Sequence, residues 1–409
     1  MYDIIFLLYQ WTIALASLFH QKARLLRQGH AHTWQLLQQQ AGEGGYIWFH
    51  AASLGEFEQG RPLMERLRRE QPEAKILLTF FSPSGYEVRK DYPIADLVCY
   101  LPFDTPANAR RFVELVKPRA LVLIKYEFWR NYINTCYRLG VPVYSVSSIF
   151  REGQIFFRPW GRDYARCLRH IAHFYVQNEA SVALLQRIGI TQTTIVGDTR
   201  FDRVLEIKEA ARPLPLVEQF SKGRMVLVVG SSWPADEAFI LDYFNQRADL
   251  FLILAPHVVE ESHLSAIEAQ VSRPVLRLSE ATEANVSQAH CLLIDGYGLL
   301  SSIYRYGQIA YIGGGFGVSI HNIVEAAVYG IPVLFGPRNK KFREAQDLKA
   351  CGGGIEVTTP EAFAPIMDQL LADAARRQAC ATACHAYIAS QVGATERVFA
   401  HLCFTNSKR

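Results

Sequence analysis

Residues 308–337 read QIAYIGGGFGVSIHNIVEAAVYGIPVLFGP, and this stretch decides the fold expected for the whole chain. Ile309 to Ile312 is a short apolar run with the length and β-branched content of a buried strand, and Gly313, Gly314 and Gly315 follow at once. After His321-Asn322, residues Ile323 to Tyr329 carry apolar side chains at helical spacing. Gly330 stops that helix, and Ile331 to Phe335 begins another buried strand. Strand, glycine turn, helix and strand make one βαβ unit. Two readings of the turn stand side by side. Glycines let backbone N–H groups approach an anion in front of a helix start, and Glu325 in the first helical turn can accept hydrogen bonds from the hydroxyls of a ribose. Equally, the triplet is a packing turn and Glu325 complements the helix dipole.

Outward from this unit the same alternation recurs. Candidate strands at Tyr46–His50, Lys75–Phe81, Leu97–Leu101, Ala120–Ile124, Val141–Val146 and His173–Val176 alternate with helical segments. A second series begins at Met225–Val229 and continues through Leu250–Ala255 and Cys291–Ile294. Between the series, residues 212–223 (RPLPLVEQFSKG) hold two prolines and no periodic apolar pattern, which marks a hinge. The fold class expected is therefore α/β, with two Rossmann-like domains in tandem facing an interdomain cleft. Ligands in open α/β sheets collect beyond the carboxyl ends of the strands. There the sequence places His50, Ser53 and Glu56 in one domain, and Ser231, His257, Gly298, Asn322 and Glu325 in the other.

At 409 residues the chain suits two domains, and its net charge of +4 is too small to indicate nucleic acid as a partner. The eight cysteines are scattered without a CxxC pair or a Cys/His cluster at zinc spacing, which points to reduced thiols and no structural metal. Residues 4–19 (IIFLLYQWTIALASLF) are nearly all apolar and are followed by Lys22, Arg24 and Arg27. Such a segment reads as an uncleaved membrane anchor or interfacial helix that leaves the rest of the chain on the cytoplasmic side; the plainer alternative is a buried N-terminal helix.

Glu56, at a strand-to-helix junction after Ser53-Leu54-Gly55, is placed to take the proton of an attacking hydroxyl, although a glutamate at a helix start also simply complements the dipole. Glu127 lies among Tyr126, Phe128 and Trp129, where a carboxylate needs a partner or a role. Arg200, in GDTRFD (197–202), can offer a cation to a departing phosphate or pair with Asp198 or Asp202.

Together, the apolar N-terminus, HAASLGE (50–56), YEFW (126–129), GDTRFD, GSSW (230–233), Pro256-His257 and the block from Gly313 to Pro337 resemble one family, the Kdo transferases (3-deoxy-D-manno-octulosonic acid transferases) of lipopolysaccharide synthesis. The resemblance implies a GT-B fold and inverting, metal-independent transfer of Kdo from CMP-Kdo to a lipid A precursor (lipid IVA) at the inner membrane, with no cofactor. It implies Glu56 as general base assisted by Glu127 and Arg200, acceptor contacts at His50, Ser53 and Gly55, and CMP held by Ser231, Pro256, His257, Gly298, Leu299, Leu300, Asn322, Ile323, Val324 and Glu325. The domains expected are an anchor (1–28), an acceptor-binding domain (29–211), the hinge (212–223), a donor-binding domain (224–379) and a C-terminal helix (380–409) packing back across the hinge. Arg61, Arg66, Arg68 and Arg69 are expected to meet lipid phosphates or to form a solvated helix face. A GT-B enzyme using a UDP-sugar, or a membrane-attached nucleotide-binding protein without catalysis, are the rival readings.

Overall fold

The strands that read as continuous apolar runs are buried on both faces, as strands of a parallel sheet covered by helices must be. In the computed structural model, which describes residues 2–211 and 213–402, they form two seven-stranded parallel sheets. The first contains β1 (Ile47–Ala51), β2 (Ile76–Phe80), β3 (Leu97–Tyr100), β4 (Ala120–Ile124), β5 (Val143–Ser148), β6 (His173–Val176) and β7 (Thr193–Ile195), in the order β3-β2-β1-β4-β5-β6-β7. The second contains β8 (Met225–Ser232), β9 (Leu250–Pro256), β10 (Val275–Arg277), β11 (Cys291–Leu293), β12 (Ile309–Ile312), β13 (Val333–Phe335) and β14 (Gly354–Glu356), in the order β10-β11-β9-β8-β12-β13-β14. The first sheet reverses direction between β1 and β4; the second has its central reversal between β8 and β12, with β11 inserted between β9 and the edge strand β10. Such a switch point opens a crevice at the carboxyl ends of the strands.

The chain divides into one unit of residues 1–203 and 392–409 and another of residues 204–391. The segment expected as a hinge differs from the sequence reading. Pro215 occupies a first-turn position of a helix, Pro215–Ser221, where its missing N–H costs nothing. That helix buries Val217 and Phe220 inside the second unit. Arg212, and the eighth cysteine Cys403, lie outside the described residues. The single C-terminal helix expected is two, Ala374–Gln391 and Ala394–His401, separated at Gly393 with φ near 90°. The second of them belongs to the first unit, where Val398 is fully buried.

The N-terminal segment also differs: it is a pair of helices, α1 (Tyr2–Ala16) and α2 (Gln21–Gln40), bent by 118°. Among the described residues no single helix is long and apolar enough to cross a membrane; the bent pair meets the length and composition required. The glutamine-rich residues 35–40 are the end of α2, which buries Ala23, Leu26, His30, Thr33 and Leu37 at three- and four-residue intervals. Ile4, Leu8, Trp11, Leu15 and Phe19, at similar spacing, are each at least 60% exposed. Arg24 and Arg27 reach back to the end of α1, at the Ser17 carbonyl and hydroxyl respectively.

Asp202 in GDTRFD accepts hydrogen bonds from the backbone N–H groups of Gly393 (2.5 Å) and Thr395 (2.6 Å), capping the last helix. Asp202→Ala is expected to cost about 1 kcal/mol and to expose the chain near Gly393 to limited proteolysis, read by thermal denaturation and peptide mapping.

Candidate functional site

The first cluster lies at the β1/β4 switch point. α3 (Leu54–Glu70) starts directly after β1, with Ser53 at its N-cap, so Glu56 stands in the first helical turn. Its carboxylate turns back to accept the Ala52 N–H at 2.8 Å and the Ser53 N–H, two donors that the helix itself leaves unpaired. Burial pushes the Glu56 carboxyl up to about 7; the nearby negative charge of Glu127 pushes the same way, and Lys125 and the two N–H donors oppose it. The helix-start and catalytic readings of Glu56 are therefore compatible: the cap fixes the carboxylate while its surroundings keep its proton affinity high. Ser53 makes no side-chain cap bond, and a side chain on Gly55 would meet open space.

Directly after β4, Lys125 adopts the left-handed region at φ 66°, a conformation disfavoured for a side chain of this size. The turn brings Glu127 to 3.6 Å from His50 Nε2. His50 is fully buried; its Nε2 accepts the Trp129 indole N–H at 2.8 Å and its Nδ1 lies 2.8 Å from the Thr79 hydroxyl. Of the acceptor-side residues expected, His50 is thus a buried framework residue, and Ser53 and Gly55 are the accessible ones.

Arg200 binds Asp198 through Nε (2.9 Å) and Nη2 (2.8 Å). Asp198 is buried and also receives the side-chain amides of Gln59, from α3, and Gln177. Burial alone would raise the Asp198 carboxyl; the guanidinium and these N–H donors outweigh it and hold it below its ordinary value. Arg200 also lies close to Tyr126, the neighbour of Glu127. Arg61, Arg66 and Arg68 are committed to carboxylates within this unit, Arg61 to Glu65, Arg66 to Glu70 and Glu396, and Arg68 to Asp96. They are therefore not a bare cationic patch for lipid phosphates; Arg69 is exposed.

In the second unit the β8/β12 switch point is built by close backbone approach. Ser231 takes φ 52°, and a Cβ on Gly313 would fall 2.3 Å from its carbonyl oxygen. A Cβ on Gly315 would fall 2.5 Å from Gly336 Cα. The Gly313 N–H donates to the Gly230 carbonyl and the Gly314 N–H to Asp236 at 2.8 Å. Packing is therefore the reason for the triplet, and the first two N–H groups are already committed.

Around that turn the expected donor residues gather in two groups. The ring of His257, beyond the buried Pro256, lies between Trp233 (4.7 Å) and His321 (4.4 Å), and the Trp233 N–H reaches His321 Nε2 at 3.1 Å. Burial and the neighbouring His257 lower the His321 imidazole to about 4. On the other side, Leu300 and the buried hydroxyl of Tyr304 pack against Gly230, and Tyr304 senses the charge of Glu325, which is hydrogen bonded to the Asn322 amide at 2.9 Å. Ile323 and Val324 are buried and shape this short helix from behind. Gly298, with φ 86°, turns the chain toward Leu299 and Leu300.

Sequence reasoning missed three supports. Asp236 ties the turn together through Gly314, Tyr311 (2.8 Å) and Trp233 N–H (3.1 Å). Buried Glu237 accepts the Ser232 hydroxyl (2.7 Å) and faces His263 Nε2 (2.8 Å). Trp129 and Thr79 frame His50. The acidic pair directly after GSSWPA, at a helix start, was the available signal for the first two.

His263 presents both ring nitrogens to acceptors, Glu237 and the Val258 carbonyl (3.0 Å). Burial lowers its pKa, but the hydrogen bond and charge of Glu237 and the carbonyl outweigh this, and the net shift is upward. A raised histidine stabilises the fold below its unfolded value of 6.5 and loses that contribution as pH rises through the folded value. The midpoint of thermal unfolding is thus expected to fall between pH 6 and pH 9, with a shallower fall in His263→Gln.

Residues 21–203 match the family model described as 3-deoxy-D-manno-octulosonic-acid transferase (kdotransferase). The chain is 28% identical over 334 residues to the 3-deoxy-D-manno-octulosonic acid transferase of Aquifex aeolicus, covering 80% of this chain and 86% of that protein. With the enzyme of the same name from Bordetella pertussis it shares 27% identity over 369 residues, 86% of this chain and 85% of the relative. Among solved structures it is similar to a UDP-GlcNAc 2-epimerase from Neisseria meningitidis (TM-score 0.62, 14% identity, 87% of this chain and 98% of the other). It is also similar to Acinetobacter baumannii MurG (TM-score 0.54, 14% identity, 87% and 98%). These structures establish the GT-B type of fold, two Rossmann-like sheets in one chain.

Proposed function

We propose, from its likeness to the Kdo transferases, a glycosyltransferase family, that the chain performs an inverting, metal-independent transfer of Kdo from CMP-Kdo to a lipid A precursor, with Glu56 as general base. The observation that carries the proposal is the placement of Glu56 in the first turn of α3 at the carboxyl end of β1, its carboxylate held by the Ala52 N–H at 2.8 Å, where burial and the charge of Glu127 push it up to about 7. A base poised near the working pH combines availability of the deprotonated form with enough basicity to draw off a hydroxyl proton. As the acceptor oxygen bonds to the anomeric carbon of Kdo, its proton passes to Glu56. The bond between that carbon and the phosphate oxygen breaks, and CMP leaves with the electron pair.

In this reading the open space at Gly55 and the Ser53 hydroxyl admit the acceptor, and Glu127 keeps the proton affinity of Glu56 high. Arg200, oriented by Asp198, sets its positive charge where negative charge develops. In the second unit the His257 and His321 rings, the Ser231 turn, the segment Gly298 to Leu300 and the pair Asn322 and Glu325 hold CMP, with the glutamate toward the ribose hydroxyls. The exposed apolar stripe of α1, followed by Lys22, Arg24 and Arg27, suits an interfacial seat on the cytoplasmic face of the inner membrane, where a lipid acceptor resides.

Incubation with CMP-Kdo generated in place and a tetraacylated lipid A precursor, followed by mass spectrometry, is expected to show addition of Kdo. Glu56→Gln is expected to lower the rate by about 100- to 10,000-fold, with CMP binding and the unfolding midpoint nearly unchanged. A Glu56→Gln enzyme with full activity would remove Glu56 as the base; protection by UDP and not by CMP would move the donor to the UDP-sugars.

A further inference from the structure

Trp129 connects the N-terminal helix to the carboxylates of the site, within one unit of the chain. Its indole N–H donates to His50 Nε2 at 2.8 Å. That bond occupies the Nε2 lone pair, so the ring proton sits on Nδ1 and is donated to the Thr79 oxygen at 2.8 Å. Thr79 also accepts the Trp48 indole N–H at 2.7 Å, and its hydroxyl points to the Phe49 carbonyl at 3.4 Å. Every polar position of this buried frame is filled. Glu127 stands 3.6 Å from the same Nε2, and its charge pushes the Glu56 carboxyl up.

The other side of the indole is held from outside the site. Phe6 of α1 meets the Trp129 ring edge-on at 5.8 Å, and Phe81, which follows β2, lies against it at 4.7 Å. Tyr9 of α1 stacks in turn on Phe81 at 6.4 Å. α1 itself is docked by polar contacts: the Tyr2 hydroxyl donates to the buried Asp104, and Asp3 accepts the Asn131 amide at 2.8 Å, two residues beyond Trp129. One face of α1 thus rests on the ring that fixes His50, while Ile4, Leu8, Trp11 and Leu15 remain outside.

We propose that Trp129 is a positioning residue for the His50–Glu127 pair, and that α1, through Phe6, holds it in place, so that seating of the N-terminal helix sets the competence of the base. The inference rests on the reading of Glu56 as general base. The charged and titratable groups around the frame are His50 from β1, Lys125 and Glu127 after β4, Glu56 from α3, Arg130 beside Trp129, Tyr2, Asp3 and Tyr9 from α1, Asp104 beneath Tyr2, and His30 from α2 against Phe81; Phe6 and Phe81 present uncharged rings to the indole itself.

The test is Trp129→Phe in the full-length enzyme, which keeps a ring for Phe6 and Phe81 and removes only the N–H. The expected result is a kcat lower by about ten-fold, an unchanged KM for CMP-Kdo, and an acid limb of the pH–kcat profile moved to lower pH. With that donor gone the His50 ring no longer holds Glu127 in its place, and withdrawal of the charge that raises Glu56 lowers its proton affinity. Phe6→Ala, which leaves the indole N–H in place, is expected to show the same pattern more weakly and serves if Trp129→Phe does not fold. Wild-type kcat and pH profile in whichever of these variants folds would overturn the proposal, as would a loss of kcat with no movement of the acid limb. An inactive wild-type enzyme would instead overturn the assigned reaction.

Discussion

Two carboxylates follow neighbouring parallel strands, Glu56 after β1 and Glu127 after β4, and the charge of the second adds to burial in holding the proton on the first. The rest of the first unit accommodates that constraint. Adjacent strands in register place the two segments side by side whatever the side chains. The unpaired N–H groups at the start of α3 give the Glu56 carboxylate a fixed seat, and burial together with the second charge withholds the stabilisation that full hydration would provide. A buried carboxylate with a raised proton affinity weakens the fold once it is ionised, so such an arrangement persists where function requires it. The strained backbone at Lys125 belongs to the same bargain.

The second unit solves a different problem with the same topology. Its switch point is filled by backbone rather than by charge: Gly313 and Gly315 allow β8, β12 and the Gly336 turn to approach at distances that a Cβ would forbid. The ends of β8 and β9 then lie close enough for Trp233, His257 and His321 to form one group of rings. Buried Asp236 and Glu237, at the start of the helix after β8, bind these loops from beneath.

Much of this was legible in the sequence, and the misses have physical causes. Ala120–Ile124, His173–Val176 and Ile309–Ile312 coincide with observed strands, because an interior parallel strand must be apolar at every position. β7, β10 and β14 are three-residue strands at or near the sheet margins, too short and too mixed in polarity to show a period. The buried face of α2 includes His30 and Thr33, so its sequence looks polar although the helix is well packed. A glycine triplet reads alike whether it cradles an anion or lets two backbones touch, and only the partners of its N–H groups decide. The Trp129 bond to His50 spans 79 residues of sequence and leaves no local pattern.

The account depends on a proton remaining on Glu56 well above the range in which carboxyl groups ordinarily ionise. Difference infrared spectra of the wild type against Glu56→Gln, recorded across a pH titration, follow the protonated carboxyl band of that one residue. Disappearance of the band with a midpoint near 7, moving downward in a Glu127→Gln background, is the result predicted. A midpoint near the ordinary 4.5, or one indifferent to Glu127, would contradict it.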